Sequence, residues 1–259
     1  MEMLECGYAS VGEFHSVHHQ SGGQNYENIA ETSCRIINAA QKTGIGLTYL
    51  PVFYMQGGLN GKKLAEGQLR FGNELEQYLR ILDQTQNSLR NAPKDYLLGM
   101  APHSLRAVSP EFLKEIVEAR SSDTVHIHIA EQLKEVEEIQ THFDARPVEW
   151  LLNNIAVDSR WCLIHATHMT QEETQNLAKS GAIVGLCPIT EANLGDGVFD
   201  GTELLLSGGK YCIGYDSNVR ISLTEELRLL EYSQRLVRKE RNVMTSKTGS
   251  VDRHFTMIL

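Results

Sequence analysis

Long apolar runs are missing from this chain of 259 residues: none approaches the roughly 18 consecutive apolar residues of a membrane span, and the first residues form no signal-peptide pattern. An excess of basic residues is missing as well. Lys and Arg number 24 against 33 Asp and Glu, for a net charge of -9. That balance argues against a nucleic-acid or anionic-membrane surface, both of which need grouped Lys and Arg, so any anionic ligand must be met by local cations. Closely spaced cysteine pairs are also absent. The five cysteines, Cys6, Cys34, Cys162, Cys187 and Cys212, are scattered, which suits buried thiols in a reducing, cytosolic compartment better than disulfides or a zinc knuckle. There is no internal repeat, low-complexity tract or interdomain linker. With 41% hydrophobic residues the chain can bury a substantial core, and one large domain is as reasonable as two.

What is present is an alternation of strand-like and helix-like segments. Apolar runs at Ala9 to Val17, Ile45 to Phe53, Tyr96 to Ala101, Val125 to Ala130, Trp161 to Ala166, Ala182 to Cys187 and Tyr211 to Tyr215 read as buried parallel strands. Between them the helical period runs over Glu27 to Gln41, Asn73 to Leu89, Pro110 to Ala119, Leu133 to Asn153 and Gln171 to Lys179, and Leu223 to Arg238 follows the last strand. Ser109 before Pro110, and Thr170 before Glu172 and Glu173, mark helix starts. Seven strands in this rhythm predict an α/β fold of the (β/α)8 barrel kind. Gln56 to Gly72 is a longer glycine-containing loop that could serve as a lid.

The chemistry-bearing residues fall at the ends of three of these strands, which is where parallel barrels place their reactive groups. His126 and His128 are two apart and face the same side of a strand, and Glu131 follows where the chain leaves the sheet. A neutral imidazole at a strand end is a common zinc ligand, and a carboxylate three residues on can pass a proton to a leaving group. His126 reads equally well as a hydrogen-bonded core histidine; His128 reads better as a ligand. His165 stands where the apolar run Cys162 to Ile164 stops, while His168 could simply cap the next helical region. Asp216, between Tyr215 and Ser217, reads as a surface turn in isolation and as a metal ligand in this company.

Five segments carry a resemblance: Ala101-Pro-His-Ser-Leu-Arg-Ala-Val108, His126-Ile-His-Ile-Ala-Glu-Gln132, Ile164-His-Ala-Thr-His168, Cys187-Pro-Ile-Thr-Glu-Ala-Asn-Leu-Gly-Asp-Gly197 and Glu225-Glu-Leu-Arg-Leu-Leu-Glu-Tyr232. Over about Glu2 to Met244 the chain resembles the formimidoylglutamate deiminases of the amidohydrolase superfamily. The resemblance implies a metal-dependent hydrolase of TIM-barrel type, with one zinc ion. It implies hydrolysis of N-formimino-L-glutamate to N-formyl-L-glutamate and ammonia, a step of histidine degradation. It also implies His128 and Asp216 as zinc ligands, Glu131 as the group that protonates the departing amine, and His165 as a catalytic partner that polarises the imino carbon or takes the water proton. Asp216 would help orient the zinc-bound water, whose pKa such an ion lowers toward about 7. His103 and Arg106 would bind the substrate, and a guanidinium just beyond a strand end suits a dianionic substrate in an acidic protein.

The resemblance also has departures. Relatives carry a His-x-His pair at the end of a first barrel strand, and this chain has no such segment ahead of its first strand; His126-Ile-His128 falls at the fifth. Strands two to eight are therefore expected, in a partial barrel domain over 1–244 with a truncated segment over 245–259, and the chain is expected to be a fragment that is inactive by itself. Ser16 stands where relatives have a tyrosine, and Tyr215 where a serine is common. Two other readings stay open: a deaminase of the same superfamily acting on a nucleobase or another amine, and an inactive chain that binds a ligand or partner. A small anionic substrate is expected, with neither nucleic acid nor membrane as partner, and a homodimer stays among the options.

Overall fold

The computed structural model describes residues 1–245. In chain order the elements are α1 (Glu2–Glu5), β1 (Ser10–His15), α2 (Glu31–Thr43), β2 (Gly46–Phe53), α3 (Leu75–Leu89), β3 (Tyr96–Pro102), α4 (Pro110–Ala119), β4 (Thr124–Ile129), α5 (Leu133–Phe143), α6 (Pro147–Asn154), β5 (Trp161–His165), α7 (Gln171–Ser180), β6 (Ile183–Leu186), α8 (Pro188–Leu194), α9 (Gly201–Leu206), β7 (Lys210–Ile213) and α10 (Leu223–Arg238). They form two compact units: one contains Tyr8–Ile127, the other Glu2–Gly7 and the described residues from His128 to Thr245, so the boundary falls within β4.

In the first unit β1, β2, β3 and the start of β4 pair in parallel, in chain order. Ser10 lies opposite Gly46, Leu47 opposite Tyr96, and Gly99 opposite Thr124. β2 is buried at seven of its eight positions, the continuous apolar pattern of a strand covered on both faces rather than the alternation of a half-exposed one. Leu50, Val52 and Ala101 make a core cluster against which Phe14 and Tyr54 pack. α3 closes one side with Tyr78, whose ring stacks on Phe53 at 4.7 Å and whose hydroxyl donates to the Pro51 carbonyl at 2.8 Å, so the aromatic brings its polar end inside only with a partner. Gly99 is dictated by close approach: a Cβ there would meet the Thr124 carbonyl oxygen at 2.8 Å.

In the second unit β5, β6 and β7 pair in parallel, with Cys162 opposite Ile183 and Leu186 opposite Ile213. α7 opens with a reciprocal cap. Thr170 Oγ1 accepts the Glu173 amide at 3.2 Å, Glu173 Oε2 accepts the Thr170 amide at 2.7 Å, and Gly181 closes the helix with φ 83°. All five cysteines are free. Cys162 and Cys187 are buried as expected, Cys6 and Cys34 are half-buried and Cys212 is exposed. Cys162 Sγ and Cys212 Sγ lie 3.9 Å apart, two strands from one another, across Gly185.

The strand and helix segments read from the sequence recur with local differences. The helix expected over Leu133 to Asn153 is two helices, because Asp144 takes a left-handed φ of 53° and Arg146 is held extended before Pro147, which starts α6. The last strand ends at Ile213 rather than Tyr215, leaving Asp216 in the loop beyond it. α8 and α9 have no counterpart among the expected helices: at seven and six residues they are too short to show a helical period. Ser109 has the extended backbone of a helix cap but makes no capping hydrogen bond; the fixed φ of Pro110 starts α4. The stretch beyond Thr245 lies outside the described residues. Among the described residues no helix is long and apolar enough to cross a membrane.

Candidate active site

Four of the residues singled out by sequence meet in the second unit. β4 brings His128 to its end, and the chain then turns through Ala130 at φ 51° to Glu131. This turn is held by Glu135, a carboxylate only 1% exposed in the first turn of α5: its Oε1 accepts the Ala130 amide at 3.1 Å and its Oε2 the Glu131 amide at 3.0 Å. β5 ends at His165, where His165 (φ 67°) and Ala166 (φ 48°) are both left-handed and the Ala166 amide donates to Ile129 of β4 at 3.0 Å. Such conformations are sparsely populated for non-glycine residues and persist where surrounding contacts impose them.

His165 is the centre of the cluster. It is 1% exposed, and its ring stacks on that of His128 with centroids 5.5 Å apart. Nδ1 is 3.2 Å from Glu191 Oε1, while Nε2 faces Glu131 Oε1 at 3.6 Å and Asp216 Oδ2 at 3.9 Å. Burial works to lower the imidazole pKa, but the hydrogen bond to Glu191 and the charges of Glu131, Glu191 and Asp216 outweigh it and hold the pKa above the ordinary histidine value. A base whose proton affinity is raised by three carboxylates, beside a carboxylate able to deliver a proton, is an arrangement suited to general acid-base chemistry.

Sequence reasoning missed Glu191, Glu135 and Glu226. Glu191 lies inside the Cys187-to-Gly197 string, but nothing in the string distinguishes it from a solvated helix carboxylate; only its hydrogen bond back to the Cys187 amide, at 2.9 Å, turns it toward the site. Glu226, fully buried, accepts the Ile189 amide at 2.8 Å, and its pKa is pushed up to about 7 by burial, against that hydrogen bond and with the charges of Glu191 and Asp216 adding to the rise. His168 is structural: its Nε2 bonds the Asp196 carbonyl at 2.7 Å, and its own carbonyl accepts from Arg146, which also pairs with Glu173 at 2.9 Å.

The first unit holds His103, Arg106 and His126. His103 follows β3, with Nδ1 3.0 Å from Ser104 Oγ and its ring edge-on to Tyr54 at 4.6 Å. Burial, and then the nearby Arg106 charge, push its pKa down to about 4, so at neutral pH it is an uncharged hydrogen-bonding group. The loop over Gln56 to Gly72 is fastened rather than free. Gln56 Nε2 donates to the Arg106 carbonyl at 3.2 Å, Gln68 Nε2 donates to the Tyr54 hydroxyl at 2.9 Å, and the His18 and His19 amides both donate to the Arg70 carbonyl at 3.1 Å. His126 lies beside Gly12 of β1, where a Cβ would come within 3.5 Å of its ring, and burial lowers its pKa to about 4.

Imidazole and carboxylate donors suit zinc in kind. Among the described residues, however, no three His, Cys, Asp or Glu side chains are arranged to hold a metal ion, so these residues do not by themselves make a metal site.

Seven parallel strands among the described residues, alternating with helices, make an incomplete (β/α) barrel of the hydrolase type, with histidines and carboxylates at and just beyond the strand ends. The sequence matches the Amidohydrolase family over residues 1–248, and the chain belongs to that family. It is 50% identical over 243 residues to formimidoylglutamate deiminase of Pseudomonas aeruginosa, covering 93% of this chain and 53% of that protein. The crystal structure of an amidohydrolase from Brucella melitensis superposes with a TM-score of 0.96 at 50% identity, covering 98% of this chain and 57% of that one. A guanine deaminase from C. acetobutylicum with bound guanine shares the fold, with a TM-score of 0.80 at 16% identity. The chain thus spans about half the length of these relatives.

Proposed function

We propose that this chain carries part of the active site of an amidine hydrolase, one that converts N-formimino-L-glutamate and water to N-formyl-L-glutamate and ammonia with a single zinc ion. The observation that carries the reading is the convergence of Glu131, Asp216 and Glu191 on the buried His165 ring. The 50% identity to a formimidoylglutamate deiminase supports the amidine substrate over other C–N bonds. In the reaction, water adds to the imino carbon and the bond to the terminal nitrogen breaks. Glu131 delivers the proton with which that nitrogen leaves as ammonia, and His165 orients the attacking water or takes its proton. Arg106 supplies the cation that meets a substrate carboxylate, and His103, being neutral, adds a hydrogen bond rather than a second charge. His128 and Asp216 are the residues proposed to bind zinc. Their two side chains are fewer than the three protein ligands a catalytic zinc normally takes.

The test is a chimera in which this chain replaces the 243 aligned residues of the Pseudomonas aeruginosa deiminase. Ammonia release from formiminoglutamate, with formylglutamate as co-product, is the expected result. A chimera that deaminates guanine or cytosine and leaves formiminoglutamate untouched would instead establish the nucleobase reading.

A further inference from the structure

Three consecutive residues in the first turn of α8 each grip a different part of the second unit. The Ile189 amide donates to Glu226 Oε2 of α10 at 2.8 Å. Thr190 Oγ1 donates to the Tyr215 carbonyl at 2.9 Å, stands 2.8 Å from Ser217 Oγ and accepts the Ser217 amide at 3.3 Å. Glu191 Oε1 takes His165 Nδ1 at 3.2 Å and the Cys187 amide at 2.9 Å. Tyr215 and Ser217 are the immediate neighbours of Asp216, so one hydroxyl holds the chain on both sides of that carboxylate.

The backbone needs such support. His165 and Asp216 both sit at positive φ, 67° and 53°, although neither is glycine; His165 ends β5, and Asp216 lies in the loop between β7 and α10. Loop carboxylates and imidazoles left to themselves sample several rotamers and backbone states, and holding them costs conformational entropy. Thr190 is 1% exposed and Glu191 4%, so their hydrogen bonds compete with little water.

We propose that Thr190 and Glu191 are positioning residues: one helical turn, locked by Glu226, sets the Asp216 backbone and the His165 ring against each other. The inference rests on the reading of His165 and Asp216 as reacting groups. An acceptor at Nδ1 places the proton of a neutral ring there and leaves Nε2 on the side of Glu131 and Asp216, which is how outer carboxylates choose the tautomer of a working imidazole. A single turn that holds both groups also couples them: a shift of α8 moves the ring and the carboxylate together.

Two readouts on the 259-residue chain decide it, and neither requires turnover. Amide exchange at Ser217 should quicken by about 10-fold or more in Thr190→Val and return to within about twofold of the parent in Thr190→Ser, which restores the hydroxyl. Nitrogen NMR of the His165 ring, at a pH well above its pKa, should show one Nδ1–H tautomer in the parent and in Glu191→Gln, which keeps an oxygen acceptor, and a mixture in Glu191→Ala. Unchanged Ser217 exchange in Thr190→Val, or an undisturbed Nδ1–H ring in Glu191→Ala, overturns the proposal. Should Glu191→Ala not fold, an Nε2–H ring in the parent overturns it equally, and an Nδ1–H ring supports it. Turnover is scored separately in the chimera, so failure of the deiminase reading is distinguishable from failure of the positioning one.

Discussion

Glu135 Oε2 accepts the backbone amide of Glu131 at 3.0 Å, so the residue proposed to move the proton is held by a second carboxylate four residues further along. The same side chain accepts the Ala130 amide, and it is 1% exposed. Glu135→Ala leaves two amides without their acceptor in a buried turn, and hydrogen bonds to a charged group contribute about 1.5 to 3 kcal/mol each. Denaturant unfolding should show a loss of at least that size. A loss below about 0.5 kcal/mol would mean that water or another oxygen replaces the carboxylate.

Glu131 and Asp216 should separate by phenotype in the chimera. Glu131→Gln is expected to lower turnover by roughly 10²- to 10⁴-fold with zinc content unchanged, the scale of general acid-base catalysis. Asp216→Asn should lower zinc content and turnover together. Metal analysis beside steady-state kinetics reads both, and zinc loss in Glu131→Gln would move Glu131 into the ligand set.

Arg106→Met should act on substrate charge. Removing a charge-assisted hydrogen bond from the transition state costs about 1.5 to 3 kcal/mol in kcat/KM for a dicarboxylate substrate. Neutral amidines should lose far less. Equal losses for the two would assign Arg106 to the loop, where its carbonyl already accepts Gln56 Nε2.

Acid should weaken the first unit through its histidines. Burial lowers the folded-state pKa of His18 to about 3, and of His103 and His126 to about 4, against 6.5 in the unfolded chain. Above 6.5 all three are neutral in both states and their contribution to stability is complete. As pH falls below 6.5 the unfolded chain takes up protons that the folded chain refuses, and stability drops until the folded rings also titrate near 4 to 3. Unfolding at pH 5 should therefore absorb protons, each adding about 1.4 kcal/mol per pH unit to the slope. Stability that stays flat from pH 6.5 to 4.5 would show that these rings are more hydrated than the structure places them.

Zinc should bind the 259-residue chain only weakly. No three donors among the described residues are set for a metal, and tetrahedral sites that keep one open position normally take three protein ligands. After dialysis the chain is expected to hold well under one equivalent while the chimera retains it. One tightly held equivalent in the isolated chain would refute this.

The alternation of apolar strand runs with helical periods is local information, because burial on both faces of β2 and the amphipathic face of α3 impose their patterns on adjacent residues. It was enough to place His128 and His165 at strand ends, with Glu131 and Asp216 in the turns just beyond, and the positions of β3 and α4 were legible to within a residue. Short-range breaks were harder. The left-handed Asp144 that divides α5 from α6, and the seven-residue α8, depend on single residues rather than on any period. Long-range partnership was not legible at all. Glu191 is 26 residues from His165 in sequence, Thr190 is 27 from Ser217, and Glu226 is 37 from Ile189, so their pairing exists only once parallel strands and their helices have brought distant strand ends together. The sequence by itself determined which chemical groups the chain has and the fold class that presents them. Only the tertiary structure decided which carboxylates surround His165, because a hydrogen bond depends on separation in space, and separation along the chain does not encode it.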